Sequence, residues 1–92
     1  MIYRQGVMTV VIDENWGISI ERIRYFFSQQ PDILQTLDGF LYKDCHIILT
    51  EMHGQVMGKW DFTRTRVQME GNDEDVKVIH DRFYLRFLSA GG

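Results

Sequence analysis

A small set of side chains in this sequence could take part in catalysis: one cysteine, three histidines and several carboxylates. Cys45 and His46 are adjacent, and a cysteine with a histidine base forms a nucleophilic pair in many enzymes. Neighbouring side chains of a strand point to opposite faces of the sheet, however, so these two cannot exchange a proton. We therefore expect Cys45 to be a small core residue, and we predict no catalytic residue.

A metal site would need several of these groups to converge on one ion. Cys45 and His53 have the same strand parity, but they are about 26 Å apart in a straight strand at ~3.3 Å per residue. Glu51 and His53 are closer, yet neither C-x-x-C nor H-E-x-x-H spacing occurs. No glycine-rich phosphate loop leads from a strand into a helix. The sequence therefore predicts neither a bound metal nor a cofactor.

The last four residues, 89–92, read Ser-Ala-Gly-Gly. This ending resembles the diglycine tail of the small sulfur-carrier proteins of thiamin and molybdopterin synthesis. In those carriers a β-grasp fold leads through a final strand into a flexible tail, whose terminal carboxylate is adenylated and then thiolated. The resemblance implies that role for Gly92. Residues 82–87 could alternate as such a strand, but 73–88 also fit a capped amphipathic helix that the two glycines simply stop.

Composition and charge limit the class of protein. The 92 residues are 45% hydrophobic and 13% aromatic, which suits a single domain over residues 1–92 with its own core. The formal net charge of −3 argues against general nucleic-acid binding. A lone cysteine fits a reducing compartment, and no apolar run approaches the ~20 residues of a membrane helix. We expect a cytoplasmic protein.

The first half of the chain predicts a strand and a helix. Residues 7–14 are β-branched and apolar on both alternating faces, which is typical of a strand covered on both sides. Ser19 is a suitable N-cap for a helix that Pro31 should end, because proline lacks an amide hydrogen and clashes with the preceding turn. Residues 32–37 could add one more helical turn. The apolar positions of this helix are Ile20, Ile23 and Phe27.

The second half predicts two strands and a longer helix. Residues 40–52 form one long β-type segment with a kink expected near Lys43-Asp44, and residues 59–69 form the returning strand after a loop. Acidic residues open the segment 73–88, where they favour the positive end of a helix. One apolar stripe runs along this helix and consists of Val76, Ile79, Phe83 and Phe87.

The element order is therefore β-α-β-β-α, the ferredoxin-like pattern without its last strand. We predict an α+β two-layer sandwich, with an antiparallel hairpin plus the apolar first strand, and with both helices on one sheet face. If the returning strand lies in the centre, the first strand is left on an edge. An apolar edge strand invites pairing with another chain.

Alternation along residues 59–69 separates two rows of side chains. One row contains two arginines, whose burial without partners would cost several kcal/mol each, so we predict that it faces away from the helices. In the partner strand the apolar row is Cys45, Ile47 and Leu49, and a register slip of one residue would exchange the two faces. The predicted binding face consists of Trp60, Phe62, Arg64 and Arg66 on the returning strand and His46, Ile48 and Met52 on its partner.

Tryptophan and arginine are enriched at the energetic centres of protein interfaces. Our leading hypothesis is a non-enzymatic interaction module that acts as a homodimer or small homo-oligomer, through this face or the edge strand. One alternative is the diglycine carrier. Others are single-stranded nucleic acid stacked on the aromatic and arginine side chains, and a small-molecule site between subunits near Glu51, His53 and Trp60. The aromatic residues could also wrap into the core at a twisted sheet end.

Overall fold

The computed structural model describes residues 8–53 and 63–88, with the side chains of residues 53 and 63 excepted. Within these ranges the chain forms five antiparallel strands and two helices. In chain order the elements are β1 (Thr9–Trp16), α1 (Ile20–Ser28), β2 (Leu34–Gln35), β3 (Gly39–Tyr42), β4 (Cys45–His53), β5 (Thr63–Asn72) and α2 (Asp73–Leu88).

The strands lie in the order β1-β5-β4-β3-β2. β5 lies between β1 and β4 and pairs with β1 over the full length of that strand, from Thr9 opposite Asn72 to Trp16 opposite Thr65. On its other side β5 pairs with β4, with Ile47 opposite Met69. β1, α1, β4, β5 and α2 keep the predicted β-α-β-β-α order, and β1 lies on an edge. The predicted α+β architecture is therefore confirmed.

The segment predicted as one long kinked strand is instead a hairpin. Tyr42 lies opposite Cys45, so only Lys43 and Asp44 remain for the turn between β3 and β4. Lys43 has a φ of 51°, in the left-handed region where glycine and asparagine are usual. Because this turn lacks both residues, the sequence gives no strong turn signal there. The prediction of a single strand over residues 40–52 was wrong.

Residues 32–37 do not add a helical turn, contrary to the second expectation for this region. Helix α1 ends at Ser28, and Leu34 and Gln35 pair with β3 as the short outer strand β2. The backbone amide of Thr36 donates to the carbonyl of Gly39 at 2.9 Å and closes the turn. A side chain at Gly39 would collide with the carbonyl oxygen of Ile47, so this position requires glycine.

Both helices pack on the same face of the sheet, as predicted. The apolar stripe of each helix is buried, and the rings of Phe27 on α1 and Phe83 on α2 stack with centroids 5.8 Å apart. The sheet contributes the inward rows of β3, β4 and β5. The buried core consists of Ile20, Ile23, Phe27, Phe40, Tyr42, Cys45, Ile47, Leu49, Val67, Met69, Val76, Ile79, Phe83 and Phe87.

Strand β1 differs from its prediction because only one of its faces is covered. It runs over Thr9–Trp16 rather than residues 7–14, and every second side chain from Thr9 to Asn15 is exposed. Both helices lie on the opposite face, which explains the exposure. Val11 therefore remains in solvent even though its type suits a core. Neither helix in the described ranges is long and apolar enough to cross a membrane.

Strand β5 continues past residue 69, where the predicted strand ended, through Gly71 and Asn72 directly into α2. Asn72 caps the helix: its side-chain oxygen accepts from the amide of Asp75 at 2.9 Å. Its side-chain nitrogen donates back to the Asp75 carboxylate at 2.9 Å. The same carboxylate accepts from the amide of Asp44 at 3.2 Å. These bonds fix the start of α2 against the β3–β4 turn.

Candidate functional site

The predicted binding face lies on the side of the sheet away from both helices. In the β4–β5 register, Met52 is opposite Arg64 and Thr50 is opposite Arg66, and the arginines are exposed. His46 is exposed and Ile48 is partly exposed on the same side of β4. Trp60 and Phe62 lie outside the described residues. The binding role of these seven positions remains a prediction.

Strand β1 adds residues to this face that the sequence did not reveal. Asp13 forms a two-pronged ion pair with Arg66, in which Nε of Arg66 donates to a carboxylate oxygen at 2.9 Å. This hydrogen bond lowers the pKa of Asp13 and raises the pKa of Arg66. Glu70 and Val11 are exposed on the same face, where they stand opposite each other. The face therefore carries negative as well as positive charges, whereas the arginine row alone predicts a basic face.

A second polar cluster joins β1 to α2 on the helical side of the sheet. One carboxylate oxygen of Glu14 accepts from Nε1 of Trp16 at 3.2 Å and lies 3.0 Å from Nε2 of His80. The other oxygen accepts from the hydroxyl of Tyr84 at 3.1 Å. The rings of His80 and Tyr84 are 4.2 Å apart, and Trp16 packs edge-on against Tyr84.

The hydrogen bonds in this cluster determine its electrostatics. Partial burial raises the pKa of Glu14, but hydrogen bonds from His80, Trp16 and Tyr84 outweigh it, and the pKa is lowered. Donation to Glu14 correspondingly raises the pKa of Tyr84. A carboxylate that already accepts from three side chains is a poor general base. We interpret the cluster as a structural connection between β1 and α2. Glu14 lies 66 residues from His80, so the spacing of residues in the sequence did not reveal this cluster.

The remaining groups considered from the sequence do not form a reactive centre. Cys45 is fully buried, and burial together with the negative charge of Asp75 raises the pKa of its thiol to about 11. His46 faces the opposite side of the sheet. Among the described residues, no three histidine, cysteine or acidic side chains converge as metal ligands. The side chain of His53 and the whole of Trp60 lie outside the described residues.

Helix α2 is continuous from Asp73 to Leu88, so the last described element is a helix and not the strand that residues 82–87 could have formed. Its outward side carries Leu85 and Leu88, which are 70% and 57% exposed. These residues line a shallow hollow with Asp81 and Tyr84. The hollow lies on the final turns of the helix, directly before residues 89–92. The prediction for Gly91 and Gly92 lies outside the described residues.

Comparison with known proteins assigns the chain to a family. A family model described as archaeal MoaD-like protein matches residues 14–92, from the end of β1 through the diglycine pair. No curated protein and no solved structure matches the chain. The family match covers most of the sequence. The chain therefore belongs to the archaeal MoaD-like protein family.

Proposed function

We propose that this protein is a sulfur-carrier-like protein whose reactive group is the carboxylate of Gly92. The observation that carries the proposal is the family match, which extends to residue 92 and so includes Gly91 and Gly92. The same pair resembles the tail of the sulfur carriers of thiamin and molybdopterin synthesis. Glycines suit such a tail because they have no side chain to obstruct entry into a narrow site.

The proposed chemistry has two steps. A carboxylate oxygen of Gly92 attacks the α-phosphorus of ATP, the bond to the β-phosphate oxygen breaks, and pyrophosphate leaves. A hydrosulfide donor then attacks the carbonyl carbon of the acyl adenylate, and AMP leaves with its bonding electron pair. The product is a thiocarboxylate, and neither step changes the net oxidation state of the reactants. The proposal requires that Gly92 carry the terminal carboxylate of the protein in the cell.

The state of Cys45 supports the tail as the site of sulfur attachment. A protein can carry sulfur on a cysteine thiolate, but Cys45 is the only cysteine of the sequence. It is fully buried between the sheet and the helices, and its raised pKa of about 11 keeps the thiol protonated near neutral pH. Sulfur transfer by this chain therefore needs a different group, and the tail carboxylate is the candidate that the family match supplies. A buried free thiol also supports our proposal of a cytoplasmic location.

Helix α2 counts against the proposal, because the carriers that the tail resembles lead into it through a strand. The helix also limits how far the Gly92 carboxylate can lie from the folded domain when it is activated. Residues 89–92 span at most about 14 Å when fully extended, at 3.3–3.6 Å per residue. The carboxylate must therefore be activated within that distance of the end of α2.

The test is mass spectrometry of the intact protein after incubation with ATP, a hydrosulfide donor and a carrier-activating enzyme from the same organism. We expect a species with added AMP and a later species in which sulfur replaces one oxygen of the terminal carboxylate. Deletion of Gly92 should abolish both species, and Cys45→Ala should retain them. A mature chain that continues beyond Gly92, or a wild-type protein that is never adenylated, would contradict the proposal.

A second candidate function is the interaction module, and the uncovered sheet face favours it. Within the described ranges no element packs over Arg64, Met52 or Val11, and β1 has a strand partner only on its β5 side. We propose that a second copy of the chain or another protein binds there. The face suits single-stranded nucleic acid less well, because Asp13 neutralises Arg66.

Sedimentation and light scattering at micromolar concentration test the interaction module. We expect an oligomer that Arg64→Glu weakens, with Arg24→Glu on the exposed side of α1 as the matched control. If the wild type is a monomer at all concentrations, and Arg64→Glu and Trp60→Ala change no partner binding, this second candidate is wrong.

A further inference from the structure

We propose that the apolar patch on the outer side of α2, formed by Leu85 and Leu88, is the docking surface for the enzyme that activates the Gly92 carboxylate. The inference rests on the proposed carrier function. The partner surface that covers these leucines is apolar and surrounds the mouth of an ATP-dependent carboxylate-activating site.

Only four residues separate α2 from the Gly92 carboxylate, so the tail has a short reach. Residues 89–92 extend at most about 14 Å from Leu88. An enzyme that encloses ATP and the carboxylate must hold them below its own surface to exclude water. The end of α2 must then approach the rim of that site closely, so the last turns of the helix become part of the contact.

The two exposed leucines lie on the side of α2 that faces away from the core. The core stripe of α2 includes Phe83 and Phe87, which are buried. Leu85 is two residues from each of them, which places it on the opposite side at 3.6 residues per turn. Leu88 lies three residues further along and continues the outer row. The rim of the activating site therefore meets two exposed leucine side chains, together with Arg86, the basic residue of the last turn.

One carboxylate, that of Asp81, lies at the border of the patch. Asp81 borders Leu85 and Tyr84 in the hollow, but its carboxylate accepts from Nζ of Lys77 at 3.0 Å. The border of the patch is thus partly neutralised within the helix. An apolar partner surface can cover the leucines without leaving a lone carboxylate facing it.

The experiment measures carrier adenylation, as pyrophosphate release, over a range of carrier concentrations with ATP and the activating enzyme fixed. We expect Leu85→Glu to raise the KM for the carrier about 10-fold or more, because the substitution removes a covered apolar side chain and places a charge in the contact. The kcat should stay near wild type, since the tail is unchanged. Leu34→Glu on β2 is the matched control: Leu34 is 66% exposed and lies on the far edge of the sheet.

Each outcome bears on a different part of the proposal. Adenylation of wild type with an equal KM for Leu85→Glu, Leu88→Glu and wild type overturns the docking surface but not the carrier function. Absence of adenylation in wild type overturns both. A wild-type dimer that Leu85→Glu converts to a monomer, with adenylation unchanged, shows that a second copy occupies the patch and also overturns the inference. Circular dichroism of each variant checks that α2 remains folded, which the exposure of Leu85 and Leu88 predicts.

Discussion

Replacement of Glu14 by glutamine should destabilise the protein measurably, because this carboxylate connects β1 to α2. Trp16, His80 and Tyr84 all meet it, and its side chain is only 29% exposed. Hydrogen bonds to a charged group contribute about 1.5–3 kcal/mol each when well buried, and partial exposure favours the low end. Glutamine has nearly the same shape and keeps one acceptor oxygen. Its NH2 group replaces the other oxygen and therefore faces a hydrogen-bond donor. We therefore expect the free energy of unfolding to fall by about 1.5–2 kcal/mol, because one hydrogen bond and the negative charge are lost.

Urea unfolding followed by circular dichroism measures this loss. With a slope of about 1–3 kcal/mol per M, the midpoint should fall by roughly 1 M at pH 7. Glu70→Gln, on the exposed row of β5, is the control and should leave the midpoint nearly unchanged.

The difference in urea midpoint between wild type and Glu14→Gln should also depend on pH. The folded pKa of Glu14 is lowered from its ordinary value of 4.5. The ionised carboxylate therefore stabilises the fold fully above that pH, and the contribution disappears as pH falls through the lower folded pKa. The gap between wild type and Glu14→Gln should shrink in acid. An unchanged midpoint at pH 7, or a gap that widens as pH falls below 4.5, would refute the reasoning.

Three further predictions concern single positions in the fold. Gly71→Ala should cost about 1–3 kcal/mol in thermal unfolding, because the new Cβ would collide with the carbonyl of Asp44, whereas Gly17→Ala meets no atom within 4 Å and should be nearly neutral. A thiol reagent at pH 7 should leave Cys45 unmodified in the folded protein and label it in urea, since burial raises its pKa to about 11; rapid labelling of the folded protein would contradict this. Lys43→Asn should raise the free energy of unfolding by about 0.5–1 kcal/mol, because asparagine tolerates the left-handed φ of 51° better than lysine does. A fall in the melting temperature would show that the contact of Lys43 with the Tyr42 ring matters more.

The spacing of apolar residues correctly predicted the features that lie within a single helix or strand. The buried stripe from Val76 to Phe87 follows the helical repeat, and the apolar row of β5 follows the strand repeat. The free-energy cost of burying an arginine side chain led to the correct prediction that Arg64 and Arg66 lie on the exposed face of the sheet. These predictions succeeded because each compares residues within one segment and needs no knowledge of its partners.

The features that the sequence did not reveal depend on contacts between distant segments or on unusual backbone. The Lys43-Asp44 turn lacks the glycine or asparagine that its geometry favours, so β3 and β4 were merged into one strand. Asp13 neutralises Arg66 only through the β1–β5 register, which one sequence does not determine. Glu14 meets Tyr84 across 70 residues, and the residue types of that cluster are equally common on open surfaces.

The pairing of β1 with β5 has a consequence for the order in which the protein folds. The closest partners in that pair, Trp16 and Thr65, are separated by about 50 residues of chain. At a synthesis rate of about 5–20 residues per second, β1 leaves the ribosome roughly 2–10 s before its strand partner. During that interval the Val-Val-Ile run of β1 has neither β5 beside it nor α2 packed over it. Although β1 is made before the other described strands, it is among the last of them to be incorporated, and the nascent chain is most prone to aggregation before β5 emerges.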